Sequence, residues 1–65
     1  MDSEIEIMTI AQVANYLQLS EVTTYKMVNE GVIPAFKIGR HWRVKRSDLF
    51  DLIERLKHGE HGQKL

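Results

Sequence analysis

The segment formed by residues 36–46 limits the possible folds more than any other part of this chain. It holds five of the nine Lys and Arg residues and no acid. Apolar residues alternate with cations on both sides of a Gly-Arg-His connection at residues 39–41, a pattern that predicts a β-hairpin. We expect the apolar side chains to share one face and the cations to share the other: Phe36, Ile38, Trp42 and Val44 on the first, and Lys37, Arg43 and Lys45 on the second.

Two helical segments precede this hairpin. Thr9 and Gln12 have the spacing of a capping box, and apolar residues follow at the spacing of a helix that buries one face: Ile10, Val13, Ala14 and Leu17. Ser20 is expected to cap a second helix over residues 21–30, with Gly31 in a left-handed conformation just beyond its end. The residues expected to face the first helix are Thr24, Met27 and Val28. Two capped helices joined by about three residues predict a helix-turn-helix unit.

A third helix should follow the hairpin. Ser47 can cap it, and Asp48 and Asp51 lie where carboxylates complement the positive end of a helix. Its expected buried stripe consists of Leu49, Leu52, Ile53 and Leu56. Residues 9–57 then form one domain, mainly α with a small β-hairpin, between an acidic amino-terminal arm of residues 1–8 and a flexible tail of residues 58–65.

Size and composition exclude several classes of protein. A chain of 65 residues has room for one domain with a small core. The absence of cysteine favours the cytosol over an oxidising compartment, and no apolar run is long enough for a membrane span. His58 and His61 are too few for a zinc site, and no nucleophile or acid–base pair suits catalysis. We therefore expect no metal, no cofactor, no small-molecule ligand and no enzymatic activity.

Charge is segregated along the chain although the formal net charge is zero. Residues 1–21 carry a charge of −4, residues 22–46 carry +5, and residues 47–65 carry −1. The local field of the basic segment is what a polyanion would meet, so the pattern favours nucleic acid as a partner. The alternative is that these cations only solvate a surface strand.

Five features follow one another along the chain: a helix cap, a turn, a second helix, a Pro-Ala-Phe-Lys strand and a Gly-x-x-Trp-Arg wing. In this order they resemble the excisionase-type helix-turn-helix domains, a branch of the MerR-like winged-helix group. The resemblance covers roughly residues 8–57 and depends on the order of the segments. The matching segments are residues 9–17, 19–20, 23–26, 30–39, 42–44 and 48–49. It implies a winged helix-turn-helix fold, in which a two-stranded wing and a carboxy-terminal helix follow the helix-turn-helix unit.

The resemblance also implies which residues would contact DNA. The second helix would lie in the major groove, and the wing would rest on the phosphates or in the minor groove alongside. By position, the contacts of the second helix would come from Glu21, Val22, Thr23, Lys26 and Asn29, and those of the wing from Lys37, Arg40, His41 and Arg43. Glu21 and Asn29 stand where this family often has Arg or Lys. Glu21 either accepts a hydrogen bond from a cytosine amino group or only stabilises the start of the helix.

Two aromatic residues have a structural interpretation beside the functional one. Trp42 is expected to support the core or the wing rather than to stack on a base, because it alternates with core residues and carries a large apolar area. Tyr25 is expected to pack its ring against the wing and to expose its hydroxyl group.

The resulting hypothesis is sequence-specific binding of double-stranded DNA in the cytoplasm of a bacterium. The protein would act as a recombination directionality factor or as a small transcriptional regulator, and the sequence does not separate these roles. One unit of this size binds weakly, so an integrase, RNA polymerase or further copies on adjacent sites are expected as additional partners. The alternative, favoured by Glu21, Asn29 and the acidic first third, is a protein-interaction module that keeps the fold without DNA binding.

Overall fold

The computed structural model describes residues 6–59, and most of the predicted arm and tail lie outside this range. Three helices and three strands follow one another along the chain. They are β1 (Ile7–Thr9), α1 (Ile10–Leu17), α2 (Glu21–Asn29), β2 (Phe36–Ile38), β3 (His41–Lys45) and α3 (Arg46–Lys57). The predicted helix-turn-helix unit, hairpin and carboxy-terminal helix are all present. In the described part of the chain, no helix is long and apolar enough to cross a membrane.

The predicted caps of the first two helices are confirmed. Thr9 Oγ1 accepts a hydrogen bond from the Gln12 amide at 3.1 Å, and Gln12 Oε1 accepts one from the Thr9 amide at 2.9 Å. Ser20 Oγ accepts from the Thr23 amide at 3.0 Å. Gly31 follows α2 with a φ of 82°. These bonds satisfy amide groups that a helix start leaves without an intrahelical partner.

The predicted cap of α3 is wrong. The residue before the helix is Lys45, and no side chain caps it. Strand β3 runs into α3 without a loop, and the Arg46 amide donates to the Glu6 carbonyl oxygen at 2.8 Å. The backbone beside β1 thus supplies an acceptor at the helix start, and Ser47 is already the second helical residue.

The two serines give a matched test of these caps. We expect Ser20→Ala to lower the free energy of unfolding by about 1 kcal/mol, because the Thr23 amide loses its acceptor. Ser47→Ala should change it by less than about 0.5 kcal/mol, as is usual for surface substitutions. Urea unfolding followed by circular dichroism measures both values. Equal losses in the two variants would contradict the assignment.

The sheet contains one strand more than the two-stranded wing predicted from the sequence. Its order is β1-β3-β2, and both neighbours run antiparallel to the central β3. Ile7 and Met8, which the sequence analysis placed in the arm, pair with Lys45 and Val44. Met8 is buried at 9% exposure. A three-residue strand that runs directly into a capped helix has too short an alternation to be recognised.

The register of the hairpin also differs from the prediction. Ile38 pairs with His41, so the turn is formed by Gly39 and Arg40 alone instead of by three residues. Gly39 has a φ of 62°, as expected at the first central position of a type II′ turn. A shift of one residue moves every side chain of a strand to the opposite face. The predicted separation of apolar and cationic faces is therefore wrong.

The core lies between the helices and one face of the sheet. The residues with the least exposed surface come from five different segments: Val13, Thr24, Ile33, Val44 and Leu49. Thr24 is fully buried, and its hydroxyl donates to the Ser20 carbonyl oxygen at 2.9 Å. This bond explains why a polar residue is tolerated at a core position. Ala14, at 2% exposure, lies on α1 in the predicted helix-packing stripe.

Candidate nucleic-acid interface

Helix α2 exposes a ridge that lies opposite its buried side. Thr24 and Val28 are buried, whereas Val22, Lys26 and Asn29 are exposed. The last three residues are spaced by four and three positions, so they line one side of the helix about half a turn away from Thr24. The ridge formed by Val22, Lys26 and Asn29, called the α2 ridge below, presents methyl groups, an ammonium group and a carboxamide.

Hydroxyl groups surround the amino-terminal end of α2. Ser20 Oγ accepts from the Thr23 amide and donates to Thr23 Oγ1, both at 3.0 Å. Thr23 is exposed, and its own hydroxyl proton can still be donated outwards. Glu21 is exposed in the first turn, where its carboxylate complements the helix dipole. The capping function of Ser20 therefore also fixes the position of the Thr23 hydroxyl.

Lys26 is available to an external partner despite an ion pair within the protein. Its Nζ lies 3.7 Å from Glu30 Oε2, and the two side chains retain 71% and 52% of their exposed surface. Exposed pairs four residues apart on a helix contribute about 0.3–0.5 kcal/mol. A phosphate or a base edge could replace Glu30 at small cost.

The wing is the hairpin of β2, β3 and the Gly39-Arg40 turn. Arg40 lies exposed at its tip. Arg43 is half-buried, and its Nη1 donates to the Trp42 carbonyl oxygen at 2.7 Å. This bond uses one of five guanidinium N–H donors and restrains the group beside the strand. The guanidinium group of Arg40 at the tip is therefore exposed, whereas that of Arg43 in the middle of the wing is restrained by a hydrogen bond.

The register divides the predicted wing residues between two faces. His41, Arg43 and Lys45 alternate along β3 on the outer face of the sheet. Lys37 pairs with Trp42, so it lies on the opposite face, and its Nζ is 5.1 Å from the centroid of the Trp42 ring. The structure thus brings His41 and Arg43 together and separates Lys37 from them.

The outer face of the sheet is not purely cationic, a feature that the sequence analysis missed. Each outward cation or histidine of β3 pairs with an apolar residue: Ile7 with Lys45, Phe36 with Arg43 and Ile38 with His41. The three apolar residues remain 40%, 40% and 58% exposed, respectively. The positions of Phe36 and Ile38 follow from the two-residue turn, so a correct turn length would have revealed them, whereas the position of Ile7 depends on the pairing of β1 with β3.

The two aromatic residues follow different patterns. Trp42 is half-buried and packs against the core, in agreement with its predicted supporting role. Tyr25 remains 43% exposed. Its side of α2 therefore adds a large ring to the surface beside the α2 ridge.

A concave surface lies between α1 and α3. Tyr16, Phe50, Ile53, Glu54 and Lys57 line an open cleft. The Tyr16 and Phe50 ring centroids are 5.8 Å apart. Within residues 6–59 no cluster of three or more His, Cys, Asp or Glu residues could hold a metal ion, and His61 lies outside that range.

Comparison with known proteins also identifies a helix-turn-helix domain, which covers most of the chain. A family model described as a helix-turn-helix domain matches residues 7–57. Two Mycobacterium tuberculosis proteins, from strains CDC 1551 and H37Rv, are named as candidate DNA-binding proteins. Each is 35% identical over 49 residues, which are 75% of this chain and 63% of the relative. The chain thus spans less than two thirds of their length.

A third relative places a similar segment in a much longer protein. The uncharacterized protein YvgK of Bacillus subtilis is 44% identical over 41 residues, which are 63% of this chain and 13% of that protein. No solved structure matches the chain significantly.

Proposed function

Since this chain belongs to the helix-turn-helix domain family, we propose that it binds double-stranded DNA with α2 in the major groove and the wing on the adjacent backbone. The observation that carries the proposal is the α2 ridge, because it is exposed, contains no acid and stands opposite the helix's buried side. In helix-turn-helix proteins the second helix enters the major groove, and its amino-terminal residues contact base edges. The names of the two mycobacterial relatives agree with this function.

The proposed contacts divide into those that position the protein and those that read sequence. From α2 we assign Glu21, Val22, Thr23, Lys26 and Asn29, and from the wing Lys37, Arg40, His41 and Arg43. Arg40 and Arg43 supply affinity by neutralising phosphates, and Arg40 at the tip can also enter a narrow minor groove. Thr23 donates to a phosphate, and Lys26 reaches a phosphate or guanine.

Glu21 has the least direct role in this arrangement. It lies about 100° around the helix from Val22, so it stands beside the α2 ridge rather than on it. We assign it mainly to stabilisation of the helix start, by about 0.3–1 kcal/mol. Because Glu21 lies beside the α2 ridge, its carboxylate does not interrupt the row of side chains that faces the groove.

In the cell the protein would act in the bacterial cytoplasm as a recombination directionality factor or a small transcriptional regulator. Both roles need the same DNA contacts. A single domain of this size covers little DNA, so further copies on adjacent sites, an integrase or RNA polymerase would complete the assembly. Excision assays and promoter-reporter assays distinguish the two roles.

The first test is an amide-shift titration of the isotope-labelled protein with a short mixed-sequence duplex. We expect shifts at residues 20–30 and 37–45 that weaken as salt is added, with a salt exponent of about 4 to 5 for five bound phosphates. Residues 54–57, at the far end of α3, serve as the internal reference. An absence of shifts at low salt would contradict DNA binding and favour the protein-interaction alternative, for which the cleft between α1 and α3 is the first surface to examine.

A further inference from the structure

Val22 is the most exposed large hydrophobic residue in the described part of the chain, with 79% of its surface accessible. It is the second residue of α2. Valine lowers helix stability slightly relative to alanine, because its branched side chain restricts χ1. At this position the Val22 side chain therefore adds nothing to the stability of the core or of the helix.

The residues around Val22 are of the kinds that contact bases and phosphates in a DNA groove. It begins the α2 ridge, and Lys26 lies one turn further along the same side. The Ser20 and Thr23 hydroxyls lie at the same end of the helix. Polar groups suited to phosphates and base edges thus lie beside the methyl groups of Val22, and the partly exposed Tyr25 ring lies one turn further along the helix beside the ridge.

The chemistry of the major groove selects a partner for those methyl groups. A phosphate offers nothing to a valine side chain. Among the groups that base pairs display in the major groove, the C5-methyl of thymine is the apolar one. On the basis of the proposed function, we propose that Val22 contacts the C5-methyl group of a thymine and so determines specificity at one position of the DNA site.

The same methyl group occurs on 5-methylcytosine, so the recognised chemistry is a C5-methylated pyrimidine. We assign it to thymine, since Asn29 on the same ridge carries the carboxamide that pairs with adenine edges. A site that suits both side chains would then be rich in A·T pairs. Experiments with modified bases separate the two sources of the methyl group.

The test begins with duplexes selected by the full chain from a random-sequence pool. Each thymine of the selected site is then replaced singly by uracil, which removes the methyl group and keeps the base pairing. We expect one position at which uracil weakens binding by about fourfold, the factor associated with burial of one methyl group. A second set of duplexes carries cytosine or 5-methylcytosine at each of these positions in turn, paired with guanine.

Two variants connect the effect to Val22. In Val22→Ala the thymine and uracil duplexes should bind with equal affinity, whereas in Val32→Ala the fourfold difference should persist. Val32 is a matched control because it is a valine outside the helices that is 43% exposed. Circular dichroism should show unchanged folding for both variants.

The outcomes separate this inference from the function on which it depends. A uracil effect that survives in Val22→Ala, or no uracil effect at any position, would overturn the role of Val22 while DNA binding stands. A preference for 5-methylcytosine over cytosine without any thymine–uracil difference would overturn the assignment to thymine. Failure of every duplex to bind at low salt would overturn the proposed function and this inference together.

Discussion

Replacement of Arg40 and Arg43 by alanine is expected to weaken DNA binding by about a hundredfold, since a hydrogen bond to a charged group contributes about 1.5 kcal/mol or more. Both guanidinium groups belong to the wing, one at the tip and one beside Trp42. The salt exponent should fall by about 2, because two fewer counterions are released. Fluorescence anisotropy at several salt concentrations measures both quantities.

The matched control removes two cations that lie outside both the wing and α2. Arg55 and Lys57 lie in the last turn of α3, about 14–16 Å along the helix from its start at Arg46. Arg55→Ala with Lys57→Ala changes the net charge equally and should leave the salt exponent almost unchanged. A similar fall in both double variants would show that overall charge, and not the wing, determines binding.

Arg43 needs a separate check because its guanidinium is bonded to the Trp42 carbonyl oxygen. Loss of that bond could disturb the sheet as well as the DNA contact. Arg40→Ala alone avoids this difficulty, since Arg40 is exposed at the turn. It should weaken binding by about tenfold with no change in thermal stability, and unchanged affinity in this variant would contradict the assignment of the wing tip.

Truncation of Leu49 should have the largest effect on folding. Leu49 is fully buried within the core formed by helices and sheet. Leu49→Ala is expected to lower the free energy of unfolding by about 2–5 kcal/mol, because the variant loses apolar burial and leaves a cavity. A domain of 65 residues has a total stability of about 3–10 kcal/mol. Much of the variant should therefore be unfolded at 37 °C, which thermal denaturation measures.

Leu56→Ala is the control on the same helix. Leu56 was predicted to belong to the buried stripe of α3, but it remains 44% exposed. Its truncation should lower the unfolding free energy by about 1 kcal/mol, in proportion to the smaller area that it buries. If Leu56→Ala were as harmful as Leu49→Ala, the packing of α3 described above would be incorrect.

Local side-chain chemistry made the first half of the fold predictable. Thr9, Gln12 and Ser20 cap helices through bonds between residues three positions apart, and such bonds depend on short-range sequence. The buried stripe of α1 likewise follows from helical spacing. Exposure of the α2 ridge follows from the same periodicity once Thr24 and Val28 are assigned to the core.

The sheet could not be predicted in the same way, because its details depend on partners distant in sequence. Met8 is a strand residue because it pairs with Val44, and nothing within residues 1–8 indicates this pairing. In the hairpin, the difference between a two-residue and a three-residue turn determines whether Phe36 faces the core or the solvent. The apolar pattern favoured the longer turn, yet the core is completed by Val44, Trp42 and Met8 without Phe36.

The direct passage from β3 into α3 has a consequence for recognition. The wing has no hinge at its base on that side, because Lys45 ends the strand and Arg46 begins the helix, and the Arg46 amide is bonded to the Glu6 carbonyl oxygen. Strand β3 is also the central strand of the sheet and pairs with a neighbour on each side. The wing that carries Arg40 and Arg43 is therefore joined directly to α3 and held by the rest of the sheet. Such a surface needs little ordering when it meets the double helix, so more of its contact energy remains as affinity.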